Sequence, residues 1–246
     1  MSLAFLTPES TQPRVVRART PMERLALQAG ARMSRVADWN VPNAYGDPMT
    51  ERARLTETVG FVDRSSLGKL ELQADPDVLA AIVEQAGGAL GSAPGIAART
   101  RAPHAAWWCA VTPARMLVLS EPAAAGGVRA SLELAAQDHA ETNTLVDVTC
   151  GLAGLSLVGP GARELLARFC AIDVRPAVAP VASFRPGSVA RTPGYVLVEG
   201  EDRLLVLVGW ALGEYLWRVV ADAAAALGGG PVGAEALAHH LESADA

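Results

Sequence analysis

The sequence is short of several features that mark large classes of function. It contains only three cysteines, and no cluster of basic residues, although 21 of its 246 residues are basic and 26 are acidic. The wide spacing of Cys109, Cys150 and Cys170 favours reduced thiols over a disulfide framework or a cysteine-ligated metal site. A net charge of −5 without a basic patch argues against a nucleic-acid partner.

Long hydrophobic runs are also missing. The longest nearly unbroken apolar stretch, Leu204 to Leu212, is far shorter than the roughly 20 residues that a membrane-spanning helix needs, and it predicts a buried strand instead. Residues 1–20 lack the basic, apolar and small-residue order of a signal peptide. We therefore expect a cytoplasmic protein with a flexible N-terminal arm over residues 1–20 and no membrane partner.

The common motifs of catalysis are not present either. No glycine-rich phosphate loop and no Gly-x-Ser-x-Gly sequence occurs, and no histidine stands at metal-ligand spacing from a cysteine or carboxylate. The sequence thus predicts no metal site and offers no catalytic residue.

What the sequence does contain is a pattern of alternating strands and helices that occurs twice. The order β-α-β-β-α-β, or one close to it, is predicted for residues 61–149 and again for residues 150–246. A helical opening segment over residues 21–60 precedes both units, and we expect it to pack on the second unit. Leu70-Glu-Leu-Gln-Ala-Asp-Pro lines up with Leu155-Ser-Leu-Val-Gly-Pro, and Arg115-Met-Leu-Val-Leu lines up with Arg203-Leu-Leu-Val-Leu. These matches predict an internal repeat.

This order predicts an α+β fold of two ferredoxin-like units, each an antiparallel sheet with helices on one face. The other face of each sheet must find a cover, and the two units can cover each other. Any ligand site is then expected in a cleft between the halves, lined by both sheets.

Some local expectations follow from the same patterns. Apolar spacing predicts a helix from Met22 to Met33, and residues 188–198 are expected to form one strand. Trp107 and Trp108 must point to opposite faces of their strand, and we assign Trp107 to the core and Trp108 to the cleft or a partner.

Three blocks of sequence carry a family resemblance. The first block resembles the opening of the glycine-cleavage T protein and its folate-binding aminomethyltransferase relatives; it consists of Trp39-Asn-Val-Pro-Asn-Ala-Tyr45 and the stretch from Glu57 to Lys69. The segments around Val146 to Leu166 look like the strand, Gly-Pro turn and helix of the same superfamily. Phe184 to Trp217 is most similar to the gamma subunit of sarcosine oxidase.

The resemblance also implies what this chain lacks. The family's folate-polarising Asp has no counterpart between Val111 and Val128, and the Gly-Tyr-Thr-Gly-Glu motif reads Gly194-Tyr195-Val-Leu-Val-Glu199. Ser66 stands where the family commonly has His. The chain leaves no room for the C-terminal barrel domain of full-length transferases.

Taken together, the resemblance implies a noncatalytic, gamma-like subunit of a sarcosine oxidase-like, folate-linked amine-oxidising complex, whose larger subunits would carry flavin and NAD. The alternatives are a stand-alone tetrahydrofolate-binding aminomethyltransferase and, more weakly, a folate-binding regulator of iron-sulfur enzymes. The expected residues of a possible tetrahydrofolate cleft are Tyr195, Arg191, Glu199, Lys69 and Tyr45. Those expected at a partner interface are Trp210, Tyr215, Trp217 and Trp108.

Overall fold

A computed structural model describes residues 18–139 and 141–244. Most of the N-terminal arm expected over residues 1–20 lies outside the described residues. The helices and strands, in chain order, are β1 (Ala18–Arg19), α1 (Glu23–Gln28), β2 (Arg32–Val36), β3 (Trp39–Ala44), α2 (Pro48–Thr56), β4 (Gly60–Asp63), β5 (Gly68–Ala74), α3 (Pro76–Gln85), β6 (Ala98–Thr100), β7 (Ala106–Thr112), β8 (Arg115–Ser120), α4 (Pro122–Gln137), β9 (Asn143–Asp147), β10 (Leu152–Val158), α5 (Ala162–Ala167), β11 (Phe184–Val189), β12 (Thr192–Gly200), β13 (Arg203–Gly209), α6 (Gly213–Ala225), β14 (Gly230–Pro231) and α7 (Ala234–Ala244).

The first large sheet has five strands in the order β6-β7-β8-β5-β9, and every neighbouring pair is antiparallel. Helices α3 and α4 each begin with a proline, which is favoured in a first turn because its missing N–H has no helical partner there. Both helices pack on one face of this sheet through apolar side chains such as Ile82 and Leu132. This half therefore has the layered form that the sequence predicts.

The second large sheet has six strands in the order β11-β12-β13-β10-β4-β14. Helices α5 and α6 cover one face, and α1 joins them there through Leu25 and Ala26. The predicted α+β class with antiparallel sheets and helices is thus confirmed. Whether the two units arose by duplication stays a prediction.

Strand β4 does not belong where the sequence division placed it. It lies within the predicted first unit, residues 61–149, yet it pairs antiparallel with β10 and forms part of the second sheet. The pairing joins Leu155 to Asp63 and Val158 to Gly60 in register. The second sheet therefore takes one of its inner strands from a segment that precedes the whole first sheet.

Two shorter expectations are also corrected. The helix expected from Met22 to Met33 ends at Gln28, and the residues that follow it form the hairpin of β2 and β3 before α2 begins. The single strand expected over residues 188–198 is instead the end of β11 and most of β12, joined by a tight turn. Ala190 and Arg191 form that turn with left-handed backbone angles, φ 47° and 63°, which suit the twist of a two-residue hairpin.

The two sheets face each other through a shared apolar layer. Along β8, Met116 and Val118 face the helices, whereas Leu117 and Leu119 face the second sheet. Strand β13 alternates in the same way, so Leu205 and Leu207 face the first sheet. Because both faces of each sheet are buried, these strands read as continuous apolar runs rather than as alternating ones.

The chain passes between the sheets twice at nearly the same place. The first crossing joins β4 to β5, and the second joins β9 to β10. Lys69, which is 0% exposed, connects them: its Nζ donates to the carbonyls of Ser65 and Leu67 at 2.8 Å and of Thr149 at 3.2 Å. Burial lowers the pKa of Lys69 to about 8, and the neighbouring Asp63 partly opposes this shift. The single ammonium therefore ties both crossings together.

We expect Lys69→Met to lower the free energy of unfolding by about 3 kcal/mol, because it leaves three buried carbonyls without their donor and Asp63 without its cation. Chemical denaturation followed by circular dichroism measures the change. Arg191→Met is the matched control, since it removes one positive charge from an exposed turn and should change stability by less than about 0.5 kcal/mol. Equal losses in the two variants would contradict this role of Lys69.

Candidate functional site

A cavity of about 140 Å³ lies between the two large sheets. Strands β7 and β8 contribute Trp107 and Ser120 from the first sheet, and β10 and β12 contribute Ser156 and Glu199 from the second. Helix α7 lies against the cavity through two leucines. The site expected in a cleft between the halves thus corresponds to a cavity lined by both sheets.

Charged side chains dominate the polar part of the lining. Three arginines and two glutamates are present, namely Arg64, Arg99, Arg203, Glu121 and Glu199. Arg64 forms an ion pair with Glu121, and Arg203 Nε lies 3.4 Å from Glu199 Oε2. The formal charge of the lining is therefore positive by one unit.

The two innermost arginines are not fully satisfied. Among the described residues, Arg64 Nε and Arg203 Nε are buried without a hydrogen-bond partner. The Arg203 nitrogen is within ion-pair range of Glu199, but their arrangement does not meet hydrogen-bond geometry. A buried donor without an acceptor is costly, so both groups favour an acceptor in the cavity.

Glu199 is the most perturbed acid of the cavity. Its side chain is 11% exposed, and burial raises its pKa, although Arg64 and Arg203 act in the opposite direction. Period two along β12 places Glu199 on the inter-sheet face together with Leu197 and Tyr195, because successive strand residues point to opposite faces.

The two adjacent tryptophans have exchanged the roles expected for them. Trp108 is buried among α3, α4 and the first sheet, where its Nε1 donates to Thr100 Oγ1 at 3.0 Å. Trp107 instead lines the cavity, and the Arg99 guanidinium lies 5.4 Å from its ring centre. That distance is within cation–π range. Trp108 is therefore a core residue and is not available to a partner.

The residues expected to form a folate cleft are not brought together. Glu199 lines the cavity, but Arg191 lies in the β11–β12 turn at the other end of β12. Eight residues separate the two positions, which corresponds to about 26 Å at the usual rise of a strand. Tyr195 stacks on Phe184 at 5.4 Å and accepts a long hydrogen bond from Arg115. It belongs to the inter-sheet apolar layer.

The other two expected folate residues are internal. All three donor contacts of Lys69 Nζ go to backbone carbonyls. Tyr45 packs 6.2 Å from Trp217 on the helix-covered side of the second sheet, and its buried hydroxyl has no hydrogen-bond partner among the described residues. Burial raises the pKa of Tyr45, with Asp63 and Glu51 adding to the effect.

The expected partner residues divide into buried and accessible ones. Trp217 is buried and meets Phe61 edge to face at 5.0 Å, so it is part of the core. Trp210 is half-buried and packs 6.0 Å from Trp39. Tyr215 is 43% exposed, and its hydroxyl donates to the Ala190 carbonyl at 3.0 Å. Trp210 and Tyr215 therefore remain available for contact with a partner.

The cavity does not fit the folate that the resemblance implies. Pockets for ligands of drug size occupy about 300–1,000 Å³, which is roughly two to seven times the volume of this cavity. A wider surface depression of about 440 Å³ beside Trp39 and Cys150 is lined by none of the five expected residues. The described residues also contain no group of histidine, cysteine and carboxylate side chains able to hold a metal ion.

Sequence reasoning missed the three arginines of the cavity. Arg64 lies within the Glu57–Lys69 block and Arg203 begins the Arg203-Leu-Leu-Val-Leu motif, whereas Arg99 belongs to no motif. Their convergence depends on β4 lying in the second sheet and β6 at the edge of the first. No spacing in the sequence signals those pairings.

None of the helices in the described ranges, 18–139 and 141–244, is long and apolar enough to cross a bilayer.

Residues 72–226 match the model of the sarcosine oxidase, gamma subunit family, which confirms the resemblance found in the motifs. No curated protein sequence matches the chain significantly.

Two solved structures share the fold. Heterotetrameric sarcosine oxidase from Corynebacterium sp. U-96, in complex with pyrrole 2-carboxylate, matches with a TM-score of 0.64 and 22% identity, covering 85% of this chain and 96% of that chain. Glycine cleavage system aminomethyltransferase T from Bartonella henselae matches with a TM-score of 0.74 and 16% identity, covering 90% of this chain and 61% of that chain. This chain thus spans less than two thirds of the transferase.

We expect Glu199→Gln to raise the free energy of unfolding at pH 7. Because the folded-state pKa of Glu199 is raised above its unfolded value near 4.3, the folded protein binds more protons between the two values and loses stability as pH rises through them. Glutamine resembles the neutral acid and avoids this loss. Denaturant titrations from pH 4 to pH 7 should show the stability gain shrinking towards low pH.

Glu201→Gln is the control for that series, because it removes one carboxylate from the exposed turn after β12. A gain for Glu199→Gln that is constant over the whole pH range would contradict the burial of a charged Glu199.

Proposed function

Because the family model matches residues 72–226, the chain belongs to the sarcosine oxidase gamma subunit family, and we propose that it is the small, noncatalytic subunit of a heteromeric amine-oxidising flavoprotein complex. The observation that carries this proposal is the family match over most of both large sheets. The similar sarcosine oxidase structure is heterotetrameric, and one of its chains is covered over 96% of its length.

In this proposal the larger subunits carry the flavin and NAD, and the amine is oxidised there. The site of this chain supports such a division. Acid-base chemistry on a folate nitrogen requires a positioned group at hydrogen-bond distance, and the five residues expected to form a folate cleft lie in separate parts of the fold. We place the complex in the cytoplasm, in keeping with the free thiols of Cys109 and Cys170.

The alternative of a stand-alone aminomethyltransferase has weaker support. The transferase structure shares the fold at 16% identity, and fold alone does not transfer an activity. The cavity is also smaller than a reduced folate requires, and Arg191 lies far from Glu199. A folate-independent role beside a catalytic subunit agrees better with these features.

The docking surface that we propose contains Trp210 and Tyr215, just before and within the first turn of α6. Exposed aromatic side chains are enriched among residues that dominate binding energy at interfaces. Leu27, which is also exposed, lies on α1, the helix that Arg24 joins to α6 through its ion pair with Glu214. The surface thus combines apolar area with two helices that an ion pair joins.

Affinity purification of the tagged chain from its native host, followed by mass spectrometry, tests the subunit role. We expect stoichiometric recovery of a flavoprotein that oxidises sarcosine or a related N-methyl amine. Recovery of the chain as a monomer, with no flavoprotein at any salt concentration used, would argue strongly against the proposal.

The same purification tests the docking surface. Tyr215→Ser should reduce recovery of the flavoprotein, because truncating an interface aromatic typically costs about 2 kcal/mol, or roughly 30-fold in affinity. Leu134→Ser is the control, since Leu134 is 69% exposed on α4 of the other unit and serves no role in this surface. Loss of the partner in the Leu134 variant alone would place the interface on the first sheet's helices.

A further inference from the structure

The inter-sheet cavity combines unsatisfied cationic donors with apolar walls. Arg64 Nε and Arg203 Nε are buried and lack a hydrogen-bond partner among the described residues, and both arginines line the cavity. Their existing partners, Glu121 and Glu199, leave one formal positive charge uncompensated because Arg99 also faces the cavity. Guanidinium groups in such a position favour an oxyanion, which they can bind through two parallel N–H bonds.

Apart from Ser120 and Ser156, the remaining lining is apolar and partly aromatic. The Trp107 ring forms one part of it, and the leucines that complete it are Leu67, Leu119, Leu205, Leu237 and Leu241. A bare inorganic anion would leave these side chains without a contact. A molecule with a short apolar body would cover them and gain roughly 25 cal/mol for each Å² of apolar surface removed from water.

The volume limits the size of that body. The cavity measures about 140 Å³, close to the roughly 150 Å³ of an engineered protein cavity that accommodates benzene. A single small ring or a chain of a few carbons is therefore the largest body that fits. A phosphorylated metabolite would exceed this volume and carry more negative charge than the lining can compensate.

We infer that this cavity binds a small monocarboxylate, with its carboxylate on the guanidinium groups of Arg64 and Arg203 and its apolar body against Trp107 and the leucines. The inference does not depend on the proposed subunit role, because the cavity is formed entirely by this chain.

Glu199 opposes such a ligand and supplies an independent test. Its carboxylate faces the same cavity as the bound anion, together with Glu121 and the arginines at positions 64, 99 and 203. Neutralising Glu199 removes one repulsive charge and frees Arg203 from its ion pair. The two substitutions Glu199→Gln and Arg203→Gln should therefore change affinity in opposite directions, which a general loss of structure cannot do.

Isothermal titration calorimetry of the full chain with benzoate, benzamide and inorganic phosphate tests the inference. We expect benzoate to bind with millimolar or better affinity, benzamide at least about tenfold more weakly because it lacks the charge, and phosphate not at all. Equal binding of benzamide would overturn the anionic site and leave a merely apolar cavity. Binding of phosphate alone, or of none of the three, would overturn the monocarboxylate assignment.

The variants complete the experiment. Arg203→Gln should weaken benzoate binding by about tenfold or more, the equivalent of one charge-assisted hydrogen bond, and Glu199→Gln should strengthen it. Arg101→Gln is the matched control, because Arg101 is exposed just after β6 and does not line the cavity. If Arg203→Gln fails to fold, the Glu199 variant decides: unchanged or weaker benzoate binding there would overturn the placement of the carboxylate.

Discussion

The five-stranded sheet has helices on one face only, and the six-stranded sheet has α2 and α7 over just the β4–β10 part of its second face. The rest of the two inner faces must therefore be covered by the opposite sheet. This mutual burial is the constraint on which the rest of the structure depends. It explains why Leu117 and Leu119 in one sheet meet Leu205 and Leu207 in the other, and why the strands that carry them are apolar on both sides. It also explains where the cavity lies, since a gap between the sheets is lined by residues of both.

The mutual burial in turn requires the chain to pass from one sheet to the other, and the crossings place polar backbone inside the protein. Lys69 solves this problem with one compact ammonium whose three donors reach three carbonyls. It is the only lysine in the sequence, where every other basic residue is arginine. The planar guanidinium of arginine holds its donors in a fixed fork, which suits carboxylates better than three carbonyls arranged around a point.

Much of this architecture could be predicted from local patterns, because strand and helix periods and proline starts are local properties. The apolar run that begins at Leu204, for example, forms most of strand β13, as expected. The pairing of β4 with β10 could not be predicted in this way, because the pattern around Gly60 to Asp63 indicates a strand without indicating its neighbour. The same limitation applies to Trp107 and Trp108. Alternation requires that they face opposite ways, but only the position of α3 and α4 decides which of the two is core.

The candidate site was harder to predict than the fold for a related reason. The family resemblance suggested that Tyr195, Arg191 and Glu199 form one group. In the structure, the length of β12 and the position of Arg191 in the hairpin turn keep Arg191 apart from Glu199. The arginines that do converge lie just after β4, in β6 and at the start of β13, which are far apart in sequence and meet only through the folding of the sheets.

A fold shared with an aminomethyltransferase is therefore compatible with a different site. In this chain the apolar layer between the sheets holds the fold together, and the polar side chains lie at its margin. At that margin three guanidinium groups and the Glu199 carboxyl, whose pKa is raised, surround a cavity that is too small for a folate. Such an arrangement selects for small size and negative charge. The family membership and the site chemistry thus answer separate questions: the first concerns the complex in which the chain acts, and the second concerns the molecule that the chain itself can hold.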